Sequence, residues 1–348
     1  MSDDIVISID AMGGDHGAPV VLDGVARFCE TDPRPRIALH GDRAILEKLL
    51  NERPAAAARS EIRHTELSVS MHEKPSQALR TARGSSMWNA VEMVKKGEAN
   101  AAMSAGNTGA LMAISMLQLR KMKGVHRPGM TALFPTRRGS TVILDVGANL
   151  EADAPQLVSF AIMGEAYSRA LFGKEAPSVG LLNIGSEDSK GHEELREAAA
   201  ILNLPDTHVN YYGFVEGDDI PQGVVDVVVT DGFSGNIAIK TAEGMGRVFA
   251  GYLRSALTEG PMAKAGAFLA RNGLKTMRQR LNPSKANGGV LLGLNGIVMK
   301  AHGSSDADGI AVVLGRAASL ADSHYMEEVA NGLSRLEAKR SDDVEAAE

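Results

Sequence analysis

Val225 to Asn236 reads VDVVVTDGFSGN: a run of valines that ends in Thr230, Asp231 and a small polar loop. A near-continuous β-branched run marks a strand buried on both faces, as in a parallel sheet. The Gly-bounded loop after it then opens a helical pattern. The unit is strand, polar loop, helix, and it recurs along the chain. The other instances are IVISIDAMGGD (5–15), RIALHGD (36–42), AAMSAGNTGA (101–110), TVILDVGAN (141–149), SVGLLNIGSED (178–188) and NGIVMKAHGSSD (295–306). Strands alternating with helices predict a doubly wound α/β fold with a mostly parallel sheet. Ligands of such folds sit beyond the carboxyl ends of the strands. All of these loops are expected at that one end, so the pattern predicts a single shared site.

The bulk numbers suit this reading. The 348 residues are long enough for one large or two modest domains with a real core. Charges of 37 and 43 leave a net −6, so no basic excess points to nucleic acid. Aromatics at 4% beside 37 glycines favour Gly turns over a surface for stacking bases. The lone cysteine, Cys29, lies in the apolar helical pattern VVLDGVARFCE and is expected in the core. It excludes an internal disulfide and a Cys zinc site, and it makes a Cys nucleophile unexpected. The N-terminus MSDDIVISID is acidic and runs straight into a strand, unlike a signal peptide. No run of 18 apolar residues exists, so no spanning helix is predicted and a reducing cytoplasm is the expected location.

Residues 1–330 read as one α/β catalytic domain, with residues 51–60 as a surface connection. A helical hairpin at about 242–284 interrupts the pattern, broken at Gly260-Pro261, where Pro261 suits a first helical position. In its second arm Ala263, Ala267, Ala270, Leu274, Met277 and Leu281 step like a coiled-coil seam. Lys264, Arg271, Lys275 and Arg278 form a stripe beside it, and no Asp or Glu occurs from Gly260 to Ser305. The charged tail 331–348 is expected to fray.

The loops hold the candidate chemistry. Asp10, Gly13, Gly14, Asp15 and His16 have the outline of a phosphate loop, but neither G-x-G-x-x-G nor G-K-[ST] is present. Ser104, Gly106, Asn107, Thr108 and Gly109 could cradle an anion or a thioester carbonyl at a helix start; the plainer alternative is a cap and a turn. Asp231, Gly232, Ser234, Gly235 and Asn236 open another helix, and Asn236 could polarise a carbonyl where an Asx-turn is the alternative. Asn183, Gly185 and Lys190 precede a third helix. A lysine there opposes the helix dipole unless an anion is bound, or else is a solvated loop residue. Asp145 and Asn149, and Lys300, His302 and Gly303, complete the set. Lys74, Arg80, Arg83 and Ser85 surround a further helix start. No H-E-x-x-H and no G-x-S-x-G occurs, and although Asp15, Asp145 and Asp231 could bind Mg²⁺, no spacing demands it, so no metal is predicted.

Six motifs in order, DAMGGDHGAP, MSAGNTGALMA, LDVGAN, GLLNIGSEDSKG, DVVVTDGFSGN with KTAEG, and GGVLLGLNGIVMKAHG, resemble the bacterial phosphate acyltransferase family of phospholipid synthesis. The resemblance runs from about residue 5 to 320. It implies transfer of an acyl group from acyl-[acyl-carrier protein] to inorganic phosphate, giving acyl phosphate and free carrier protein. It implies a three-layer α/β/α sandwich related to isocitrate-dehydrogenase-like and phosphotransacetylase proteins. A homodimer, weak peripheral contact with the inner face of the membrane and a downstream acyltransferase as partner are implied too. The activated thioester needs no cofactor. Two departures, Phe214 and Asp218 in NYYGFVEGDDI, argue against anionic substrate binding by that loop.

On this reading Lys190 and loop N–H groups hold phosphate. Asn236, with an N–H from Ser104–Gly109, stabilises the oxyanion, and His16 or His302 protonates the leaving thiolate. Phosphate attacks directly, since no loop shows a nucleophile with its base. Lys264, Arg271, Lys275 and Arg278 are expected to dock acidic carrier protein, with RKMKGVHRP (120–128), Arg137 and Arg138 as a second candidate surface. Lipid contact and a dimer bundle are the alternatives for the hairpin. A phosphotransacetylase-like enzyme using acyl-coenzyme A and a non-catalytic scaffold are the rival functions.

Overall fold

The computed structural model describes residues 5–280 and 288–345. Eleven strands form one sheet: β1 (Val6–Asp10), β2 (Arg36–Gly41), β3 (Ser60–His64), β4 (Ala101–Ser104), β5 (Gly129–Thr136), β6 (Gly139–Leu144), β7 (Val179–Leu182), β8 (Tyr211–Val215), β9 (Val227–Val229), β10 (Gly289–Leu292) and β11 (Ile297–Lys300). Their order is β3-β2-β1-β4-β11-β10-β5-β6-β9-β7-β8.

β3, β2, β1, β4 and β11 are mutually parallel, and so are β6, β9, β7 and β8. The two blocks run in opposite directions. Three antiparallel pairings between them, β11–β10, β10–β5 and β5–β6, make an odd number of reversals. The carboxyl ends of the first block therefore open at one edge of the sheet and those of the second block at the other. This corrects the expectation of a single edge: the polar loops form two groups.

The apolar runs pack as the sequence requires. Ile7, Ile9, Leu39, Met103 and Met299 belong to one cluster, while the alternate residues Ala102 and Val298 belong to another on the opposite face. Helices cover both faces, giving three layers. On the first face lie α1 (Gly17–Thr31), α7 (Ala154–Phe172), α13 (Ala307–Ala321) and α14 (Tyr325–Glu345), with α1 against α13 and α7 against α13 and α14. Cys29 is buried on α1, in the core. On the second face α4 (Pro75–Thr81) and α5 (Ser86–Lys95) pack on α6 (Thr108–Leu119). The short helices α2 (Arg43–Asn51), α3 (Pro54–Ala57), α8 (Glu193–Leu202) and α9 (Asp219–Gln222) fill the margins. Phe214 is buried in the core, which gives that departure a packing reason.

The hairpin starts earlier than the sequence suggests. α10 is one helix from Gly232 to Thr258, and Gly260 (φ +87°) turns the chain into α11 with Pro261 first. The second arm then breaks at Ala270 into α11 (Pro261–Leu269) and α12 (Arg271–Arg280), so the expected seam is not one straight helix. Ala263, Ala267 and Leu274 are half-buried; Leu281 lies outside the described residues. The arms expose Phe249 (66%), Tyr252 (72%), Met262 (87%) and Leu269 (84%) in the single chain. α14 continues past 331 as helix, with Leu333 buried against the core, where fraying was expected.

Candidate functional site

The first loop group grows from a polar row across four strands. Register aligns His40 of β2 with Asp10 of β1, Asp10 with Ser104 of β4, and Ser104 with Lys300 of β11. In-register neighbours share a face, and all four residues are buried on the side that α5 and α6 cover. The Ser104 hydroxyl donates to Asp10 Oδ2 at 2.7 Å and accepts the Gly106 N–H at 2.9 Å. Burial raises the Asp10 carboxyl above its usual range, more than these hydrogen bonds lower it. Gly13 lies so close that a Cβ there would fall 2.7 Å from both Asp10 Oδ2 and Gly106 N, which only glycine permits. Lys300 donates to the carbonyls of Ala301 and, at 3.4 Å, Ala105. Its burial lowers the ammonium pKa to about 8, against the pull of Asp10 and Asp15.

The row is shielded by the segment before α4. Asn107 caps α6 by accepting the Ala110 N–H, and its amide donates to the carbonyls of Met71 (2.8 Å) and Glu73 (2.9 Å). The Asp15 N–H donates to Gly303 O at 2.8 Å, joining the loops after β1 and β11. His16 caps α1 by position alone and is exposed, with no side-chain hydrogen bond in that role.

The second group is centred on Asp145. Its Oδ1 accepts from the N–H groups of Met130 (3.0 Å), Gly147 (3.2 Å) and Ala148 (3.0 Å), and its Oδ2 from Asn149 N (2.8 Å) and Nδ2 (2.9 Å). Fully buried behind five donors, Asp145 shapes the loop and offers no surface to a ligand. Asn149 is buried as well, its amide also reaching Pro128 O at 2.8 Å. The start of α10 presses on this loop: a Cβ on Gly235 would sit 1.9 Å from Asp145 O, and one on Gly232 2.3 Å from Asn149 O. Asp231 caps α10 through the Ser234 N–H (2.8 Å) and hydroxyl (2.9 Å). The fixed helix start leaves Asn236 exposed, facing Gly147.

Lys190 belongs to this second edge. Its loop follows β7, the neighbour of β9, and folds back on Asn183, which donates to Lys190 O at 3.2 Å. The Lys190 side chain is exposed. The edges are linked by α10, whose Lys240 and Glu243 lie near enough to His302 to influence its charge.

Sequence reasoning missed His40 of the buried row and its partner Ser8, two residues before Asp10 on β1. Ser8 is hydrogen-bonded to His40 Nε2 at 2.9 Å, and burial lowers the His40 pKa to about 4, helped by Arg63. Among the described residues no three His, Cys, Asp or Glu side chains gather in a way that could hold a metal ion.

Comparison with known proteins supplies the remaining information. The family described as "Fatty acid synthesis protein" matches residues 5–328. The chain is 55% identical over 338 residues to the phosphate acyltransferase of Caulobacter vibrioides, covering 97% of this chain and 94% of that protein. It is 52% identical over 344 residues to the phosphate acyltransferase of Maricaulis maris, covering 98% of each. Among solved structures, the fold is similar to the EutD phosphotransacetylase of Staphylococcus aureus (TM-score 0.61, 16% identity, 91% of this chain and 94% of that one). It is similar too to a phosphotransacetylase of Streptococcus pyogenes (TM-score 0.60, 17% identity, 92% and 94%).

Proposed function

The chain belongs to the fatty acid synthesis protein family of phosphate acyltransferases, and from that premise we propose that it transfers long-chain acyl groups from acyl-carrier-protein thioesters to inorganic phosphate. A phosphate oxygen attacks the thioester carbonyl carbon, the C–S bond breaks, and the sulfur leaves with its electron pair. The proton that the phosphate carried ends on that sulfur by way of solvent. Lys190 holds the phosphate and Asn236 donates to the oxyanion of the tetrahedral intermediate, where one good donor is worth about 10²–10³ in rate. Holding both substrates together supplies the rest of the advantage by removing the entropy of a bimolecular encounter.

The observation that carries this reading is adjacency. The loops bearing Lys190 and Asn236 follow neighbouring strands, β7 and β9, and both side chains are exposed at one sheet edge. Asn236 is held there by a helix start packed on Asp145 and Asn149. The test is incubation with long-chain acyl-carrier protein and labelled phosphate, trapping acyl phosphate as hydroxamate. Labelled product is expected, with acetyl-coenzyme A a poor donor. Full activity in both Lys190→Ala and Asn236→Ala would overturn the residue assignment. Preference for acetyl-coenzyme A would move the substrate to the phosphotransacetylase class.

The protein works as a homodimer in this proposal. The exposed stripe of Met245, Phe249 and Tyr252 on α10 supports a second copy as its cover. Lys264, Arg271 and Lys275 are exposed on the second arm and serve carrier-protein docking or a weak lipid contact. Arg278 lies on α12, and its side chain is outside the described part. No described helix is long and apolar enough to cross a membrane.

A further inference from the structure

Three neighbouring strands end together at the second edge. Leu144 of β6 and Leu181 of β7 both pair with Val229 of β9, so the loops that follow leave the sheet within about 10 Å, two strand spacings. Two of these loops carry Lys190 and Asn236, and all three expose large apolar side chains. Leu150 (71% exposed) follows β6, Ile184 (80%) follows β7, and Phe233 (57%) and Ile237 (50%) open α10 after β9.

Backbone packing holds these side chains beside the proposed transfer groups. Gly232 stands so close to Asn149 that a Cβ on it would fall 2.3 Å from the Asn149 carbonyl oxygen. Leu150 and Phe233 are each the next residue after that contact. The Lys190 stem crosses Gly185, its Cγ 3.1 Å from where a Cβ would stand, and Ile184 precedes that glycine. Phe233 is three residues before Asn236 on α10, which makes them neighbours on the helix surface.

A cluster of exposed apolar side chains marks a contact. A second copy has a different stripe of α10 to cover: Met245 and Phe249 each lie twelve residues beyond Phe233 and Ile237, about 120° further round the helix. An anionic lipid surface would meet the exposed carboxylates of Glu187, Asp188 and Asp218 on the loops after β7 and β8 at this edge. An acyl chain fits the position, because it is bonded to the carbon whose oxygen Asn236 faces, and its first methylenes must lie beside Asn236.

We propose that Leu150, Ile184, Phe233 and Ile237 form the bed on which the acyl chain of the thioester lies during transfer, and that this bed gives the preference for long chains. The inference rests on the acyl-transfer reading above, which puts the thioester carbonyl at Asn236. Each methylene laid on the bed leaves water, which is worth up to about fourfold in binding. Carrier protein is common to donors of every chain length, so the bed acts on the chain and not on the carrier.

The test compares carrier-protein thioesters of butyryl and palmitoyl chains. Phe233→Gln with Ile184→Gln should lower the palmitoyl-to-butyryl ratio of kcat/KM about tenfold. Leu150→Gln, on a separate loop, should move the ratio in the same direction, and Phe233→Leu should restore most of the loss. Fluorescence of cis-parinaric acid, an 18-carbon polyene carboxylate, reads the bed without turnover. It should bind the wild type saturably and the double variant about tenfold more weakly. An unchanged ratio in the double variant and in Leu150→Gln overturns the proposal while labelled acyl phosphate still upholds the acyl-transfer reading. Parinaric acid binding that the variants leave unchanged overturns it as well. If no acyl donor yields acyl phosphate but the probe binds and the variants weaken it, the acyl-transfer reading fails and the assignment of the bed stands.

Discussion

Asp10 and Ser104 stand opposite each other on paired strands, and a single hydroxyl ties the buried carboxylate to the turn that opens α6. Ser104→Ala removes the donor to Asp10 and the acceptor of the Gly106 N–H together. Asp10 keeps the Met12 N–H on Oδ1, so the Gly106 N–H is the group left without its acceptor, and the expected cost is about 1–3 kcal/mol. Urea unfolding of the two proteins measures it. A midpoint unchanged within error would show that the turn does not depend on this hydroxyl.

His40, at the end of the same row, makes the protein sensitive to acid. The folded ring takes a proton only near pH 4, whereas in the unfolded chain it does so near 6.5. Between those values the unfolded state binds more protons, so stability falls as pH drops through the window. Above pH 6.5 the contribution is fully present. A shift of this size corresponds to about 3 kcal/mol. His40→Gln, which can still meet the Ser8 hydroxyl, should lose less stability than the wild type between pH 7 and pH 4.5. Parallel losses in chemical denaturation would count against the assignment.

Lys300 acts in the opposite pH range. Its folded pKa is about 8 against 10.5 for a free lysine, because burial disfavours the ammonium. From pH 8 to 10.5 the unfolded chain holds a proton that the folded state has released, so this group adds stability as pH rises and withdraws it as pH falls back through 8. The full swing is about 3 kcal/mol. Lys300→Met should therefore gain less stability than the wild type between pH 7.5 and 10. Comparison of the two proteins cancels the tyrosines, which titrate in both. An identical alkaline response would rule out Lys300 as its source.

The strands and their polar loops were legible because burial on two faces leaves a mark that needs no partner: VVV in β9 and IVM in β11 read the same wherever they pair. Caps were legible for the same reason, since Asp231–Ser234 and Asn107–Ala110 bonds are local. Strand direction was not, because a buried run looks alike in either sense. The reversal is made by short hairpins, one of them Thr136–Gly139, where only Arg137 and Arg138 separate β5 from β6. That spacing was the available signal. The buried row was hidden for another reason. His40, Asp10, Ser104 and Lys300 lie far apart in sequence, and only the register of four strands makes them neighbours. Asp145 read as a ligand-facing carboxylate, yet five donors from its own loop and from β5 enclose it.

The hairpin charges separate carrier-protein docking from lipid contact. Lys264 and Lys275 are exposed, and the Arg271 guanidinium lies 4.7 Å from the centre of the Phe268 ring, itself 63% exposed. Reversing exposed charges at a docking surface acts chiefly on encounter and is screened by salt. Lys264→Glu with Lys275→Glu should raise KM for acyl-carrier protein about tenfold at low salt. kcat should be unchanged, and the difference should shrink as salt is added. Arg271→Glu removes a cation–π contact besides a charge, and should raise KM in the same direction. Binding to vesicles containing anionic lipid, measured on the same variants, gives the other arm. Vesicle binding lost with KM unchanged would assign these residues to the membrane. A KM unchanged together with intact vesicle binding would leave them to the packing of the two arms.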